Sequence, residues 1–124
     1  MIHTPTAIDD KALKKIIRTL EDGFFDGTFH RPNRRAALAL RIMRDTGLTT
    51  AQVTQISFGD LTQRNLSART ISEAVLYFQN SDVARTDPLI GGTSYAIQKM
   101  VKYVADYLGY DGVTPDSIRR LHGA

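Results

Sequence analysis

Leu13, Ile16, Ile17 and Leu20 recur at the three- and four-residue steps of a helix, just after Asp9 and Asp10, either of which can cap it. Asp22-Gly23 ends that helix. The following FFDGTFHRPN (24–33) reads as a loop with a turn at Asp26-Gly27 and three phenylalanines to anchor it. Asn33 caps a second helix, RRAALALRIMRDT, closed by Gly47 in the position just past a helix C-terminus. That helix is apolar nearly all round between Ala36 and Met43, which predicts a path through the core. Arg41 is the exception and must find a partner or reach an edge. Thr49 and Gln52 have the spacing of a capping box, so a short third helix begins there.

The pattern then changes. VLYF (75–78) and VARTD (83–87) predict two strands around a Gln79–Asp82 turn, with Pro88 ending the second. TQRNLSARTISEA (62–74) is open between helix and irregular structure. TSYAIQKMVKYVADYLG (93–109) is the clearest helix: Thr93 or Ser94 caps it, and Gly91-Gly92 forms a flexible lead-in. Ile97, Val101, Val104 and Leu108 form its buried stripe, and Gly109 stops it. Its other face carries Tyr95, Lys99, Lys102, Tyr103 and Asp106, which suits a phosphate backbone or an ordinary amphipathic helix. Thr114 caps a last helix with Pro115 at its first position. The expected fold is mainly α with a small β-hairpin, in a single domain over residues 1–124.

Composition narrows the setting. A chain of 124 residues, 42% hydrophobic, can bury an ordinary core. There is no cysteine, no secretory leader pattern and no apolar run long enough for a membrane span. A cytoplasmic protein without a membrane partner is expected. His3, His30 and His122 share no ligand spacing, and no phosphate-cradling loop or nucleophile motif occurs, so neither a metal nor another cofactor is expected.

The net charge of +3 says less than its distribution. From Gly27 to Arg44 the chain carries Arg31, Arg34, Arg35, Arg41 and Arg44 and no acid. Such a block favours a polyanion such as nucleic acid; the alternative is a solvated face whose arginines cover apolar surface. Near the C-terminus Arg119, Arg120 and His122 follow the start of a helix, where backbone N–H groups also favour an anion.

Three stretches, in their order, resemble the tyrosine recombinase (phage integrase) family. ALALRIMRDTGLTTAQVTQISFGDL is similar to the family's first signature, an apolar helix running into T-G-L-R-x-x-E and then Trp-x-Asp-Ile. VARTDPLIGG is similar to the strand that ends in R-x-V-P-L, and GYDGVTPDSIRRLHGA to the approach to H-x-L-R-H. The resemblance covers residues 8 to 124 and implies the helical catalytic domain of that family, cut off before its C-terminal part. In the family a tyrosine attacks a DNA phosphodiester while two arginines clamp the non-bridging oxygens.

This chain departs from that pattern. Thr49 stands where the first arginine is expected, and Gln52 where the glutamate is. The hairpin-turn lysine falls near Gln79 or Asn80. Asp116 replaces the leading histidine, Arg119 keeps the second arginine, and Arg120 replaces the closing histidine. The tyrosine nucleophile falls beyond Ala124, and Tyr95, Tyr103, Tyr107 and Tyr110 do not match it. The resemblance therefore implies no catalytic residue and no enzyme, but a double-stranded DNA-binding protein of a phage or mobile element. Arg34, Arg35, Arg44, Lys99, Lys102, Arg119, Arg120 and His122 are its expected DNA contacts. It leaves open a split recombinase or relaxase with the nucleophile supplied in trans. It also leaves open docking onto a full-length recombinase, or self-association through the truncated edge.

Overall fold

The computed structural model describes residues 7–123; His3 lies outside them. Seven α-helices and one two-stranded antiparallel sheet make up the described residues. Helix α1 (Asp10–Asp22) is capped by Asp9, whose carboxylate accepts from the Ala12 N–H at 2.8 Å. Its stripe of Leu13, Ile16, Ile17 and Leu20 is buried against helix α2 (Arg34–Thr46). Asn33 caps α2, and Gly47 closes it at φ +74°, a left-handed conformation that glycine adopts without strain. Ala36–Leu40, Ile42 and Met43 are all buried, so α2 is the central element.

Between α1 and α2, residues 24–33 are more ordered than a loop. Phe24–Phe25 (β1) pairs with Phe29–His30 (β2), Phe25 opposite Phe29, around the Asp26-Gly27 turn. Only Phe24 anchors the segment, since Phe25 and Phe29 are about two-thirds exposed. A two-residue strand pair puts alternate side chains on opposite faces, so Phe24 turns inward and Phe25 outward.

Helix α3 (Thr50–Gln55) opens on the expected capping box: the Gln52 N–H donates to Thr49 Oγ1 and the Thr49 N–H donates to Gln52 Oε1. A single turn, α4 (Phe58–Leu61), follows. The expected hairpin over 75–87 is not formed. Residues 68–79 are one helix, α5 (Ala68–Gln79), which absorbs VLYF. Ser67 caps it, Arg69 and Glu73 pair one turn apart, and Thr70, Ala74 and Phe78 make a helical stripe with Ala74 buried against the core. Helical packing on α2 has overridden the β preference of Val75, Tyr77 and Phe78.

VARTD is a turn rather than a strand: the Asp87 N–H donates to the Ala84 carbonyl, and the Ala84 N–H to the Asp87 carboxylate. Its Arg85 carbonyl accepts from the Gly59 N–H, and just beyond it a bridge joins Ser57 and Pro88, extended by Leu89 N–H to Ile56 O and Gly91 N–H to Thr54 O. This segment thus lies across the α3–α4 connection. Helix α6 (Ser94–Tyr107) buries Ile97, Val101 and Val104 as expected, with Leu108 half-buried at its end. Helix α7 (Pro115–Arg119) and a 3₁₀ turn (Arg120–Gly123) complete the described chain. Among the described residues no helix is long and apolar enough to cross a membrane.

Candidate functional site

Helix α2 packs against α3 and α7, and α6 packs against both as well. Where they meet lies an open cleft of about 480 Å³. Thr49 and Thr50 enter it from the start of α3. Gln98, Lys102 and Asp106 enter it from α6, spaced four residues apart and therefore on one face. Asp116 and Arg119 enter from α7, which is held at its start by Ser117 N–H to Thr114 O and Thr114 N–H to Ser117 Oγ.

Asp116 organises this cleft. Its Oδ1 accepts from Arg119 Nε at 3.0 Å and Nη2 at 2.7 Å, and its Oδ2 accepts from Arg120 Nε at 2.8 Å. The hydrogen bond from Arg119, helped by the charges of Arg119 and Arg120, holds the carboxyl below its usual range despite partial burial. One carboxylate therefore serves two guanidinium groups, leaving a local excess of one positive charge. Each arginine carries five N–H donors. Arg119 spends Nε and Nη2 on Asp116, and Nη1 makes no hydrogen bond among the described residues, so an anion can dock without breaking the pair. Lys102 sits only 3.9 Å from Asp106, an exposed pair of little strength.

The other expected DNA contacts are dispersed. Arg44 is held by Asp10 at 2.7 Å, and that hydrogen bond lowers the Asp10 pKa and raises that of Arg44. Arg34 faces Glu73 at 4.0 Å. Arg35 lies over Gly91 and Gly92, both at positive φ, where a Cβ on Gly92 would collide with its guanidinium. The lead-in to α6 is thus a shaped seat for Arg35. His122 packs on Gly47: a Cβ there would come within 2.8 Å of its imidazole. Lys99 is exposed on α6, its ammonium 5.7 Å from the Tyr103 ring centre.

The acid-free block of the sequence is consequently not acid-free in space. Arg41, the cation inside the core helix, reaches Glu21 through Nη2 at 3.2 and 3.3 Å, and Arg34 and Arg44 also face acids from other segments. Of the block, Arg31 and Arg35 have no acid within 4 Å among the described residues. Of the expected contacts, Lys102, Arg119 and the adjacent Arg120 come together at the cleft, and Lys99 lies beside Lys102 on the neighbouring face of α6. Sequence reasoning placed Asp106 on the polar face of α6 but missed Thr50 and Gln98 as lining residues, although the polar row Gln98–Lys102–Asp106 was a readable signal. Among the described residues no group of three or more His, Cys, Asp or Glu is placed to hold a metal ion. No protein-family model matches the chain, and no curated protein or solved structure matches it either.

Proposed function

We propose that the chain is a non-catalytic, double-stranded DNA-binding protein on a tyrosine-recombinase-like helical scaffold. It acts in the cytoplasm as a regulator or accessory factor of a phage or mobile element, in recombination, integration or transfer. The observation that carries the reading is the cleft itself. Thr49, which stands at the first-arginine position of the resemblance, and Arg119, which stands at the second, come from distant segments and line the same opening with Lys102. A phosphate there meets one guanidinium, one ammonium and two threonine hydroxyls, together with the carboxylates of Asp106 and Asp116, each already facing one of those cations.

The same residues speak against catalysis. Thr49 offers a hydroxyl where a transition state needs a guanidinium, and loss of one such donor costs about 2.7–4 kcal/mol, or two to three powers of ten in rate. Asp116 adds a carboxylate beside the phosphate position, which opposes charge build-up on the reacting oxygens.

The test is a titration of a labelled duplex between about 50 and 200 mM salt. Affinity is expected to fall with a log–log slope of roughly −0.9 per neutralised phosphate. A nicked duplex that traps covalent adducts should give none. A flat salt response would remove the DNA-binding reading, and an adduct dependent on Arg119 would favour the split-recombinase alternative. The docking alternative draws on Phe25 and Phe29, side by side and exposed on the hairpin. Capture of a purified recombinase that is lost in Phe25→Ser, with no duplex binding, selects it.

A further inference from the structure

Tyr95 and Tyr103 stand on the solvent face of α6, 69% and 44% exposed. Tyr95, Lys99 and Tyr103 are spaced four residues apart, so the three side chains form one row along the helix. Together with Gln98 and Lys102 they line a shallow groove of about 380 Å³, to which no other element contributes. The Lys99 ammonium lies 5.7 Å from the Tyr103 ring centre, and Tyr103 leans against the His30 ring at 6.1 Å, which steadies it from the hairpin side. Tyr95 has no aromatic neighbour among the described residues. The two tyrosines are about 12 Å apart along the axis, too far to stack on each other, so each ring can take a base separately: Tyr95 through an open face, Tyr103 where the mobile Lys99 ammonium swings from the ring onto a phosphate.

We propose that this row is a stacking surface for the unpaired bases of single-stranded DNA, with Lys99 and Lys102 on the phosphates. Two flat rings with a cation between them match a strand that alternates aromatic bases with anionic links. Within a duplex the base faces are already stacked on one another, so rings displayed this way meet a π-face only where the strand is open. The groove shares Gln98 and Lys102 with the Arg119 cleft, so a backbone held there continues directly onto the tyrosines. Asp106 is the acid nearest this path on α6, one turn beyond Lys102 and already facing it. The proposal rests on the DNA-binding reading and adds a preference for a junction between paired and open strand.

The experiment titrates the full chain with three labelled probes: oligo(dT), an abasic deoxyribose-phosphate strand of the same length, and a blunt duplex. Oligo(dT) is expected to bind about tenfold or more tighter than the abasic strand, and Tyr95→Ala and Tyr103→Ala each to weaken it by roughly 5- to 100-fold. Tyr95→Phe and Tyr103→Phe should keep most of the affinity, because the ring does the stacking. Duplex binding should be unchanged in all four variants and weakened by Arg119→Ala. Equal affinity for oligo(dT) and the abasic strand overturns the proposal, as does oligo(dT) binding indifferent to both alanine variants. Tyrosine variants that only turn an oligomer into a monomer, without changing oligo(dT) affinity, assign the face to self-association and also overturn it. Duplex binding that persists when the oligo(dT) preference is absent leaves the DNA-binding reading standing alone.

Discussion

Asp116 decides the character of the cleft. A free carboxylate there would repel a phosphate, but this one is spent on Arg119 and Arg120. Its contribution to stability is small: the pair is partly exposed, and such pairs are worth about 0–1 kcal/mol. The sign of its pH dependence is fixed, because its pKa in the folded chain is below the ordinary 3.8. The stabilisation is fully present above that ordinary value and is lost as pH falls through the lower, folded value. The stability gap between wild type and Asp116→Asn should therefore be constant from neutral pH down to about pH 5 and close on further acidification. Chemical denaturation at several pH values checks this, and a gap that widens in acid contradicts it. Arg41 is a costlier commitment. Arg41 and Glu21 are only 17% and 15% exposed, and Arg41 Nε is buried without a partner among the described residues. Glu21→Ala, which strands the guanidinium, is expected to destabilise by about 3 kcal/mol, whereas Arg41→Met, which keeps the volume, should cost distinctly less. Equal costs in urea unfolding would show that the pair's charge is solvated after all.

At the scale of elements, capping chemistry was the most legible signal. Asp9, Asn33, Thr49 and Thr93 each accept from the backbone N–H three residues on, at the helix starts expected of them. Apolar stripes fixed the buried faces of α1, α2 and α6 for the same local reason. The hairpin was misplaced because VLYF has strong strand formers in a short run, where periodicity cannot separate strand from helix. What decided the matter is remote in sequence: α2 offers a face on which α5 packs with Thr70 and Ala74 buried, and Phe78 stacks on Phe58 of α4. Ser67 was the overlooked cue, standing three residues before Thr70 with Glu73 beyond. Ser67→Ala should lower stability by about 1 kcal/mol through loss of that cap, measured by urea denaturation. No change would mean that packing alone maintains the helix. The real hairpin, at Phe24–His30, was hidden by its brevity, since two-residue strands leave no alternation to read.

Across the whole molecule, the arginine-rich stretch looked basic because its counter-charges lie elsewhere in the chain. Folding brings Asp10, Glu21 and Glu73 to it, and this could not be read from local composition. The candidate site was half legible for the same reason. Arg119 and Lys102 could be chosen from their motifs, but their meeting with Thr49, Thr50 and Gln98 depends on how α3, α6 and α7 close around α2. That closure is built on α2, so Leu40→Ala, fully buried in the wild type, should cost about 2–5 kcal/mol and weaken DNA binding only as far as it unfolds the chain. The most direct test of the central claim, that this cleft holds a DNA phosphate, compares duplex affinity of wild type, Arg119→Ala and Asp116→Asn by fluorescence anisotropy at three salt concentrations. Asp116→Asn should bind most tightly because both arginines are released. Arg119→Ala should bind most weakly, with its salt slope reduced by about 1. Identical affinities and slopes for all three proteins would place any DNA contact elsewhere and contradict the account.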